Sequence, residues 1–246
     1  MRKPRIFCPK LSSPTCACTN IKQIHHLAKV LRLKANDPVE LFDGYGSVAR
    51  GKIQDIAKAN INFYVDDILH TKNPYKKLYQ AIIPYMKKES LIYSIQKLVE
   101  VGIHSILVYR PDHLDQSLVK KDLSKLNLRL EEAMIGACEQ SGCNHFPSIH
   151  YFTGLQKCIQ SEHINRDFEG LFVLDTIANQ FIKKNEILNL ESIGIISGPE
   201  SGYSETERGF MNECGLRSLK IGHYTLRAET APVAGLSKFH NLLGEY

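Results

Sequence analysis

The alternation of apolar and polar residues follows one pattern up to about residue 70 and another from residue 78 onward. The first part is predicted to be mainly β, with short apolar runs at 5–7, 39–42, 47–53 and 61–68. Asp43-Gly44 lies between two of these runs and predicts a hairpin turn. Apolar residues recur at helical spacing over 21–31, which predicts one short helix within this part.

From Leu78 the pattern alternates between strand and helix, which predicts a parallel sheet with helical crossovers. Strands are predicted at 78–85, 103–109, 170–175, 192–197 and 216–221. Helices are predicted to end at Gly102, to run along 123–138, and to start near Thr230, with Pro232 in the first turn. Because residues 70–77 interrupt both patterns, they are interpreted as a linker between two domains.

The segment 195–210 carries the clearest sign of a ligand site. A buried strand leads into Gly198-Pro199-Glu200-Ser201-Gly202, and Ser204 with Glu207 then forms the capping-box pattern of a new helix. A strand, a tight loop and a helix N-terminus suit a small ligand at the carboxyl end of a parallel strand. The segment lacks the Gly-Lys-Ser/Thr of a Walker loop, and an ordinary tight βα turn is the alternative.

Composition limits the class of protein. The chain has 246 residues, of which 43% are hydrophobic and 23% charged, as in globular proteins that fold in water. No apolar run is long enough for a membrane span, and no apolar signal core follows the basic N-terminus, so a cytoplasmic protein is expected. Seven scattered cysteines without a C-x-x-C argue against a disulfide framework.

Charge is distributed unevenly along the chain. Residues 1–77 hold 14 Lys/Arg against 6 Asp/Glu, whereas residues 78–246 hold 17 against 20. A basic surplus of this kind is typical of a module that binds a polyanion such as RNA. A solvated basic surface without a partner would leave the same pattern, so charge alone does not decide between them.

Several segments in this order resemble the RsmE family of ribosomal RNA methyltransferases, which belongs to the SPOUT superfamily. They are RKPRIF near the start, the segments 25–44, 87–103 and 131–142, and the pair ISGPESGYSETE and IGHYTLRAETA in the last quarter. The last pair is the specific one, because SPOUT enzymes hold their cofactor between a Gly-Pro-Glu-rich loop and a Leu-Arg-x-Glu-Thr segment. The segments together span nearly the whole chain.

The resemblance implies an α/β fold with two domains. Residues 1–72 would form a PUA-like RNA-binding β-barrel, and residues 73–246 a SPOUT methyltransferase domain with a trefoil knot. It further implies a homodimer, S-adenosylmethionine as cofactor, no metal, and methylation of N3 of a uridine in 16S ribosomal RNA, free or within the 30S subunit. Two alternatives remain: action on another RNA, such as a ribose 2′-hydroxyl of transfer RNA, or a non-catalytic RNA-binding assembly factor.

The resemblance also implies roles for particular residues. The cofactor-binding set is Leu174, Ser197, Gly198, Pro199, Glu200, Gly202, Ile221, Gly222, Leu226 and Thr230. The catalytic set is Arg227, Glu229 and Glu139. The RNA-binding set is Arg2, Arg5, His26, Arg32, Lys87, Lys97 and Gln140. Uridine N3 is protonated near neutral pH, so a carboxylate base or an arginine that stabilises the developing anion is expected; Arg227 could instead form only an ion pair.

Three features depart from the family pattern. Ser201 stands where the loop usually has a second adjacent glycine, and Cys143 stands where Gln-Ser-Gly is commonly followed by arginine. The stretch 109–113 lacks the acidic-Arg-Ser pattern, although Arg110 could serve as the family's arginine. Cys138, Cys143, His145 and His150 match no common zinc spacing.

Overall fold

The computed structural model describes residues 3–120, 126–164 and 170–245. By contact, the chain divides into two compact units. Unit 1 comprises Met1–Pro74 and Ile135–Phe146, and unit 2 comprises Tyr75–Met134 and Pro147–Tyr246. Arg2, predicted to bind RNA, and the start of the helix predicted along 123–138 lie outside the described residues.

Unit 1 is built on a six-stranded sheet. Its elements are β1 (Arg5–Phe7), β2 (Thr15–Cys18), α1 (Ile21–His25), a π-helical turn (His26–Val30), β3 (Pro38–Phe42), β4 (Ser47–Ile56), β5 (Ile61–Val65) and β6 (Leu69–His70). The strand order is β1-β3-β4-β5-β2, with β6 paired to β4. The β1–β3 pair is parallel and the other pairs are antiparallel.

Alternation along β4 shows why this sheet forms. Gly51 and Ile53 face the interior, while Arg50, Lys52 and Gln54 are exposed, as expected of a sheet with one buried face. The predicted hairpin at Asp43-Gly44 joins β3 to β4, and Asp43 Oδ1 accepts hydrogen bonds from Tyr45 N at 2.7 Å and Ser47 N at 3.0 Å. Strand β2 was not predicted, because the alternating TCAC carries its apolar face in cysteines, which are weak strand signals.

The predicted helix over 21–31 is present as α1 followed by the π-helical turn. Asn20 caps α1 by accepting hydrogen bonds from Lys22 N and Gln23 N. The helix buries Ile24 and Leu27 and leaves its remaining faces largely exposed. It ends before Arg32, which has a φ of +53°.

Residues 135–146 join unit 1 through Phe146 and Arg5. The Phe146 ring lies 5.0 Å from that of Phe7, centroid to centroid, and Phe146 N donates to Gly44 O at 2.8 Å. Gly44 has a φ of +80°, and a Cβ there would lie 2.5 Å from the Phe146 ring, so this position requires glycine. The Arg5 guanidinium donates to Asn144 Oδ1 at 2.7 Å and pairs with Glu40.

Unit 2 is built on a six-stranded sheet in which every pair is parallel. Its strands are β7 (Leu78–Pro84), β8 (Ser105–Tyr109), β9 (Ser148–Phe152), β10 (Leu171–Leu174), β11 (Ser192–Ser197) and β12 (Arg217–Leu219). Its helices are α2 (Lys88–Val101), α3 (Asn127–Ser141, shared with unit 1), α4 (Leu155–Ile159), α5 (Lys184–Ile187), α6 (Glu205–Glu213) and α7 (Ala231–Leu243). The strand order is β12-β10-β11-β7-β8-β9.

The strands predicted in this unit are confirmed, as are the helix end at Gly102, the Ser204 capping box and the start of α7 after Thr230. Strand β9 was not predicted, because its side chains are only half buried and give no apolar run. Helix α7 packs tightly on the sheet: a Cβ on Gly235 would lie 3.0 Å from Leu174 Cδ1. The predicted α/β fold, with a parallel-sheet domain and a separate β module, is confirmed. The trefoil knot stays a prediction.

Across the described residues, none of the helices has the length and apolar character needed to cross a membrane.

Candidate functional site

A pocket of about 350 Å³ lies in unit 2 where β10, β11 and β12 end. Its walls come from three segments that follow these strands, 174–176, 198–203 and 219–228, together with Arg208 of α6 and Ala231 of α7. Because the strands are parallel, their carboxyl ends bring three loops to the same edge of the sheet. Gly198, Pro199, Glu200 and Gly202 of the loop in which the sequence predicted a ligand site all line this cavity.

Tyr203 fixes the conformation of the 198–202 loop. Its hydroxyl is buried under the strands and donates toward Ile196 O at 3.1 Å. A Cβ on Gly198 would lie 3.0 Å from the Tyr203 ring, so the bare backbone at Gly198 is explained by packing on this ring. Gly202 has a φ of +76°, a conformation that disfavours other residues. The loop is thus held in shape before any ligand binds.

Helix α6 begins directly after this loop. Ser204 Oγ accepts a hydrogen bond from Glu207 N at 3.0 Å, and Glu207 Oε2 accepts one from Ser204 N at 2.9 Å. Burial raises the pKa of the Glu207 carboxyl. The predicted capping box is therefore confirmed, and it fixes where the helix starts relative to the pocket.

Asp175 and Arg208 form an ion pair at the pocket, and neither residue was predicted as part of the site. Asp175 follows β10 and is 9% exposed, and Arg208 lies one turn into α6. The side-chain hydrogen bond to Asp175 raises the pKa of the Arg208 guanidinium. An acidic residue at the end of a buried strand is a signal that could have indicated Asp175, but its pairing with α6 depends on the sheet order.

The third wall is the 219–228 segment. Ile221, Gly222 and Leu226, which were predicted to bind the cofactor, all line the pocket. Lys220 N donates to Gln180 O at 2.8 Å and so ties this segment to the loop that follows β10. A Cβ built on Gly222 meets no atom within 4 Å, so the space beside this glycine is open.

Arg227 lies at the end of this wall, and Glu229 follows it two residues later without being among the residues that line the pocket. Arg227 lines the pocket with its side chain 82% exposed, whereas the Glu229 side chain is 13% exposed. Their closest charged atoms, Arg227 Nη1 and Glu229 Oε1, are 3.9 Å apart. Glu229 Oε2 is buried and has no hydrogen-bond partner within the described part of the chain. The structure thus pairs the two residues loosely and leaves one carboxylate oxygen unsatisfied.

Eight of the ten residues predicted to bind the cofactor line this pocket. They are Leu174, Gly198, Pro199, Glu200, Gly202, Ile221, Gly222 and Leu226. Ser197 and Thr230 are not among the lining residues. Ser197 is fully buried at the end of β11, and Thr230 is the N-cap residue of α7.

Glu139 lies in unit 1, where its side chain is hydrogen-bonded. Its Oε1 accepts hydrogen bonds from Gln23 Nε2 at 2.6 Å and from Phe7 N at 3.3 Å, and burial raises the pKa of its carboxyl. Glu139 is not among the residues that line the pocket beside Arg227. These contacts give Glu139 a structural role in unit 1, and its catalytic role stays a prediction.

The predicted RNA-binding residues fall into two groups. His26, Arg32, Lys87 and Gln140 are exposed. Arg5 is different: its side chain is 6% exposed and bonded to Glu40, Asn144 and the carbonyl of Cys143, so its burial argues against a contact with RNA. Lys97 Nζ lies 2.8 Å from both carboxylate oxygens of Glu100.

Ser201 and Cys143 depart from the family pattern, and each donates a side-chain hydrogen bond to a backbone carbonyl. Ser201 is exposed, does not line the pocket, and donates from Oγ to His113 O at 2.9 Å. Cys143 Sγ donates to His145 O at 3.1 Å. A hydrogen bond with Cys138 lowers the pKa of the Cys143 thiol. Within the described ranges, no group of three metal-ligating side chains is placed to hold a metal ion.

The fold and this pocket define the class of the protein. The model of the RNA methyltransferase domain family matches residues 72–240, and that of the RNA methyltransferase PUA domain matches residues 19–63. The chain therefore belongs to the RNA methyltransferase domain family, with a PUA domain in its N-terminal part.

Its relatives are more specific, and they confirm the resemblance to the RsmE family. The chain is 28% identical to ribosomal RNA small subunit methyltransferase E of Rickettsia conorii, with 91% of this chain and 88% of the relative covered. It is 27% identical to ribosomal RNA small subunit methyltransferase E 2 of Borreliella burgdorferi, with 92% and 90% covered.

Solved structures share the fold over nearly the whole chain. A methyltransferase from Legionella pneumophila, in complex with the bound cofactor SAM, superposes with a TM-score of 0.86 at 22% identity, covering 98% of both chains. Ribosomal RNA small subunit methyltransferase E from Neisseria gonorrhoeae, bound to S-adenosyl methionine, superposes with a TM-score of 0.82 at 24% identity, also covering 98% of both.

Proposed function

We propose that this chain is an S-adenosylmethionine-dependent methyltransferase that methylates N3 of a uridine in the 16S ribosomal RNA of the small subunit. The observation that carries the proposal is the pocket at the carboxyl ends of β10, β11 and β12, closed by the segments 198–203 and 219–228. The names of the relatives and the SAM-bound state of two similar structures support the same function.

The residues present suit S-adenosylmethionine. A volume of about 350 Å³ lies within the range of about 300–1,000 Å³ that is usual for small-molecule pockets. Leu174, Leu219, Ile221 and Leu226 supply apolar walls for an adenine ring and a desolvated methyl group. The open space at Gly222 lets a ligand approach the backbone closely. The Asp175–Arg208 pair offers a carboxylate and a guanidinium for the polar end of the cofactor.

When bound, the cofactor supplies a methyl group that is already activated on a sulfonium. Transfer forms a carbon–nitrogen bond at N3, breaks the carbon–sulfur bond and releases the N3 proton. The chain must remove that proton and stabilise the anion that develops on the flanking carbonyl oxygens. Glu229, with its unsatisfied carboxylate oxygen, is the proposed base, and Arg227, which is exposed at the pocket, is the proposed anion stabiliser.

The basic part of unit 1 is the proposed RNA-binding module. The first 36 residues contain 8 Lys/Arg and no Asp or Glu, and Lys22, Lys29, Arg32 and Lys34 within them are exposed. A surface of this kind supplies phosphate contacts that do not depend on base sequence. In this proposal residues 1–72 hold the RNA and residues 73–246 carry out the chemistry.

We further propose that the active form is a cytoplasmic homodimer. Large apolar side chains beside the pocket are exposed: Tyr224 by 89%, Ile177 by 70% and Phe181 by 43%. Exposed apolar groups on this scale are typical of a surface that another protein covers. Light scattering of the purified protein at micromolar concentration, giving twice the mass of one chain, is the expected result.

The test of the proposed function is methylation in vitro. Purified protein, S-adenosylmethionine and 30S subunits from a strain lacking the enzyme are incubated, and the 16S RNA is digested and analysed by mass spectrometry. N3-methyluridine is the expected product. A 2′-O-methylated nucleoside would show that the acceptor is wrong, and no binding of S-adenosylmethionine in calorimetry would show that the chain is a non-catalytic factor.

A further inference from the structure

Two of the seven cysteines, Cys143 and Cys214, are partly exposed, while the other five are buried. Burial and then the charge of Glu213 raise the pKa of the Cys214 thiol, which favours its unreactive protonated form. A hydrogen bond with the Cys138 thiol instead lowers the pKa of the Cys143 thiol. Cys143 is therefore the cysteine that combines access from solvent with thiolate character.

The end of helix α3 explains why Cys138 and Cys143 meet. Gly142 follows the helix with a φ of +93°, and its N donates to Cys138 O at 3.0 Å. A glycine C-cap of this kind reverses the chain and commonly brings the next residue back onto the last turn of the helix. Cys143 N also donates to Ser141 Oγ at 3.2 Å. The turn therefore places the two thiols in hydrogen-bonding contact.

The surroundings of the pair favour an anion on Cys143 rather than on Cys138. The hydrogen bond between the thiols lowers the pKa of Cys143 and raises that of Cys138. A backbone hydrogen bond at His145 and the charge of Arg5 also lower the pKa of Cys143, while burial opposes them. Cys138 is fully buried, and burial raises its pKa further. The pair therefore consists of one reactive thiol with a buried thiol in contact with it.

A second pair of thiols, Cys8 and Cys16, provides a comparison within unit 1. These two thiols also share a hydrogen bond, which raises the pKa of Cys8 and lowers that of Cys16. Cys8 is only 1% exposed and Cys16 only 8%, and both pack in the apolar core of the unit. An oxidant in solution therefore reaches this pair less readily than it reaches Cys143.

We propose that Cys143 is a site of reversible oxidation, at which a peroxide converts the thiol to a sulfenic acid and Cys138 then captures it as a disulfide. In the first step the Cys143 sulfur bonds to one peroxide oxygen, the O–O bond breaks, and the departing hydroxide takes up a proton to form water. In the second step the Cys138 sulfur bonds to the Cys143 sulfur, and the hydroxyl leaves as water with the Cys138 proton. The two sulfurs are oxidised and the peroxide is reduced to two molecules of water.

This site lies in unit 1 and does not depend on the proposed methyltransferase function. Neither cysteine lines the pocket at the ends of β10, β11 and β12, so oxidation leaves the affinity for S-adenosylmethionine unchanged. The disulfide links the last turn of α3 to the segment that carries Asn144 and Phe146, which contact Arg5 and Gly44. Oxidation therefore acts on the contacts between this segment and the N-terminal strands.

The first test maps the disulfide. The reduced full chain is treated with hydrogen peroxide at neutral pH, alkylated, digested with trypsin and analysed by mass spectrometry. Both cysteines lie in the tryptic peptide 130–157, which is expected to lose two hydrogens and to take up no alkylating agent. Dithiothreitol is expected to restore both thiols. A disulfide that forms first between Cys8 and Cys16, or a peptide 130–157 that stays reduced, would overturn the inference.

The second test separates the roles of the two cysteines. Cys138→Ala is expected to leave a sulfenic acid on Cys143 that dimedone traps, because the partner that captures it is gone. Cys214→Ser, at the other partly exposed cysteine, is the matched control and should form the disulfide at the parent rate. A dimedone adduct on Cys214 but not on Cys143 contradicts the proposal. If Cys138→Ala does not fold, the peptide maps of the parent protein and Cys214→Ser decide the question.

A third measurement needs no oxidant. Iodoacetamide at neutral pH is expected to alkylate Cys143 about tenfold faster than Cys214, because the thiolate is the nucleophile. Equal rates at the two cysteines would remove Cys143 as the reactive thiol. Calorimetry with S-adenosylmethionine on the reduced and the oxidised protein completes the test. The two affinities should agree within about threefold, and a larger loss on oxidation would contradict the separation of this site from the pocket.

Discussion

At the residue scale, Glu229 holds an unusual position for a carboxylate. Its side chain is 13% exposed, and its Oε2 has no hydrogen-bond partner within the described ranges. A buried acceptor without a partner costs free energy, and such groups are retained where a ligand or a proton completes them. Arg227 Nη1 lies 3.9 Å from the other carboxylate oxygen, Oε1, and most of the Arg227 side chain is in solvent.

Glu229→Gln is expected to slow single-turnover methylation by about 10² to 10⁴, the usual contribution of a general base. The amide keeps the shape of the side chain, so the affinity for S-adenosylmethionine should stay within threefold. Rapid-quench kinetics across pH and calorimetry measure the two quantities. A methylation rate that is unchanged at every pH would remove Glu229 as the base.

Glu139 shows how burial changes the role of a carboxylate. Desolvation raises its pKa above the ordinary value, although hydrogen bonds from Gln23 and from Phe7 N oppose the shift. A group with a raised folded-state pKa contributes stability below its unfolded-state pKa, and that contribution is lost as pH rises through the folded-state pKa.

Glu139→Gln removes this titration and keeps an oxygen that accepts from Phe7 N. Relative to the parent protein, the variant should therefore gain stability as the pH is raised from about 4 to about 8, since only the parent then carries a buried charge. Urea unfolding at several pH values measures the difference. Methylation should stay within threefold of the parent rate; a loss of a hundredfold or more would restore Glu139 to the catalytic set.

At the scale of elements, the pocket depends on one loop and the helix that follows it. Tyr203 beneath the loop and the Ser204 capping box after it fix the backbone from 198 to 204. Gly198 and Gly222 line the pocket from two different segments, and they differ in the space around them. A Cβ on Gly198 would lie tightly against the Tyr203 ring, while the space at Gly222 is open.

Alanine at these two positions should separate packing from binding. Gly198→Ala forces a methyl group against the Tyr203 ring and should destabilise the protein by about 1–3 kcal/mol, as overpacking usually does. Gly222→Ala should change stability by less than about 0.5 kcal/mol and weaken cofactor binding, because the methyl group takes up ligand space. Thermal melting and calorimetry give both quantities, and equal melting temperatures for the two variants would contradict this account.

At the scale of the whole molecule, the two parts of the chain differ in net charge. The basic surplus lies in residues 1–77, and the remainder of the chain, which contains the pocket, is slightly acidic. Long-range attraction to phosphates is therefore concentrated in the PUA-containing part of the chain. A slightly acidic sheet domain also suits a cofactor that carries a positive sulfonium.

Salt dependence of RNA binding tests this division. Lys29→Gln combined with Arg32→Gln removes two exposed cations of unit 1 and should lower the slope of log K against log salt by about 1.5, given about 0.7 to 0.9 per phosphate contact. Lys157→Gln combined with Lys184→Gln in unit 2 is the matched control and should leave the slope unchanged. Filter binding to 16S RNA fragments measures it, and equal slopes for the two double variants would remove the basic segment as the RNA surface.

Local patterns in the chain were enough to predict most elements and much of the pocket. Strand runs, the Asp43-Gly44 hairpin, the Ser204–Glu207 capping box and the start of α7 are all encoded within a few residues, so periodicity and capping chemistry predicted them. Of the eight pocket-lining residues that were predicted to bind the cofactor, seven, all but Leu174, come from two short motifs, because each motif is a continuous segment that forms one wall of the cavity.

Tertiary structure alone decided the rest, since long-range pairing has no local signal. The position of β11 between β7 and β10 brings the loop at Gly198 next to Asp175, and only then can Asp175 pair with Arg208. The packing of Phe146 and Asn144 against the N-terminal strands made Arg5 a buried structural residue and placed Glu139 in unit 1. Sequence by itself determined the elements and the chemistry available at each motif; the contacts between distant segments determined which of those groups meet.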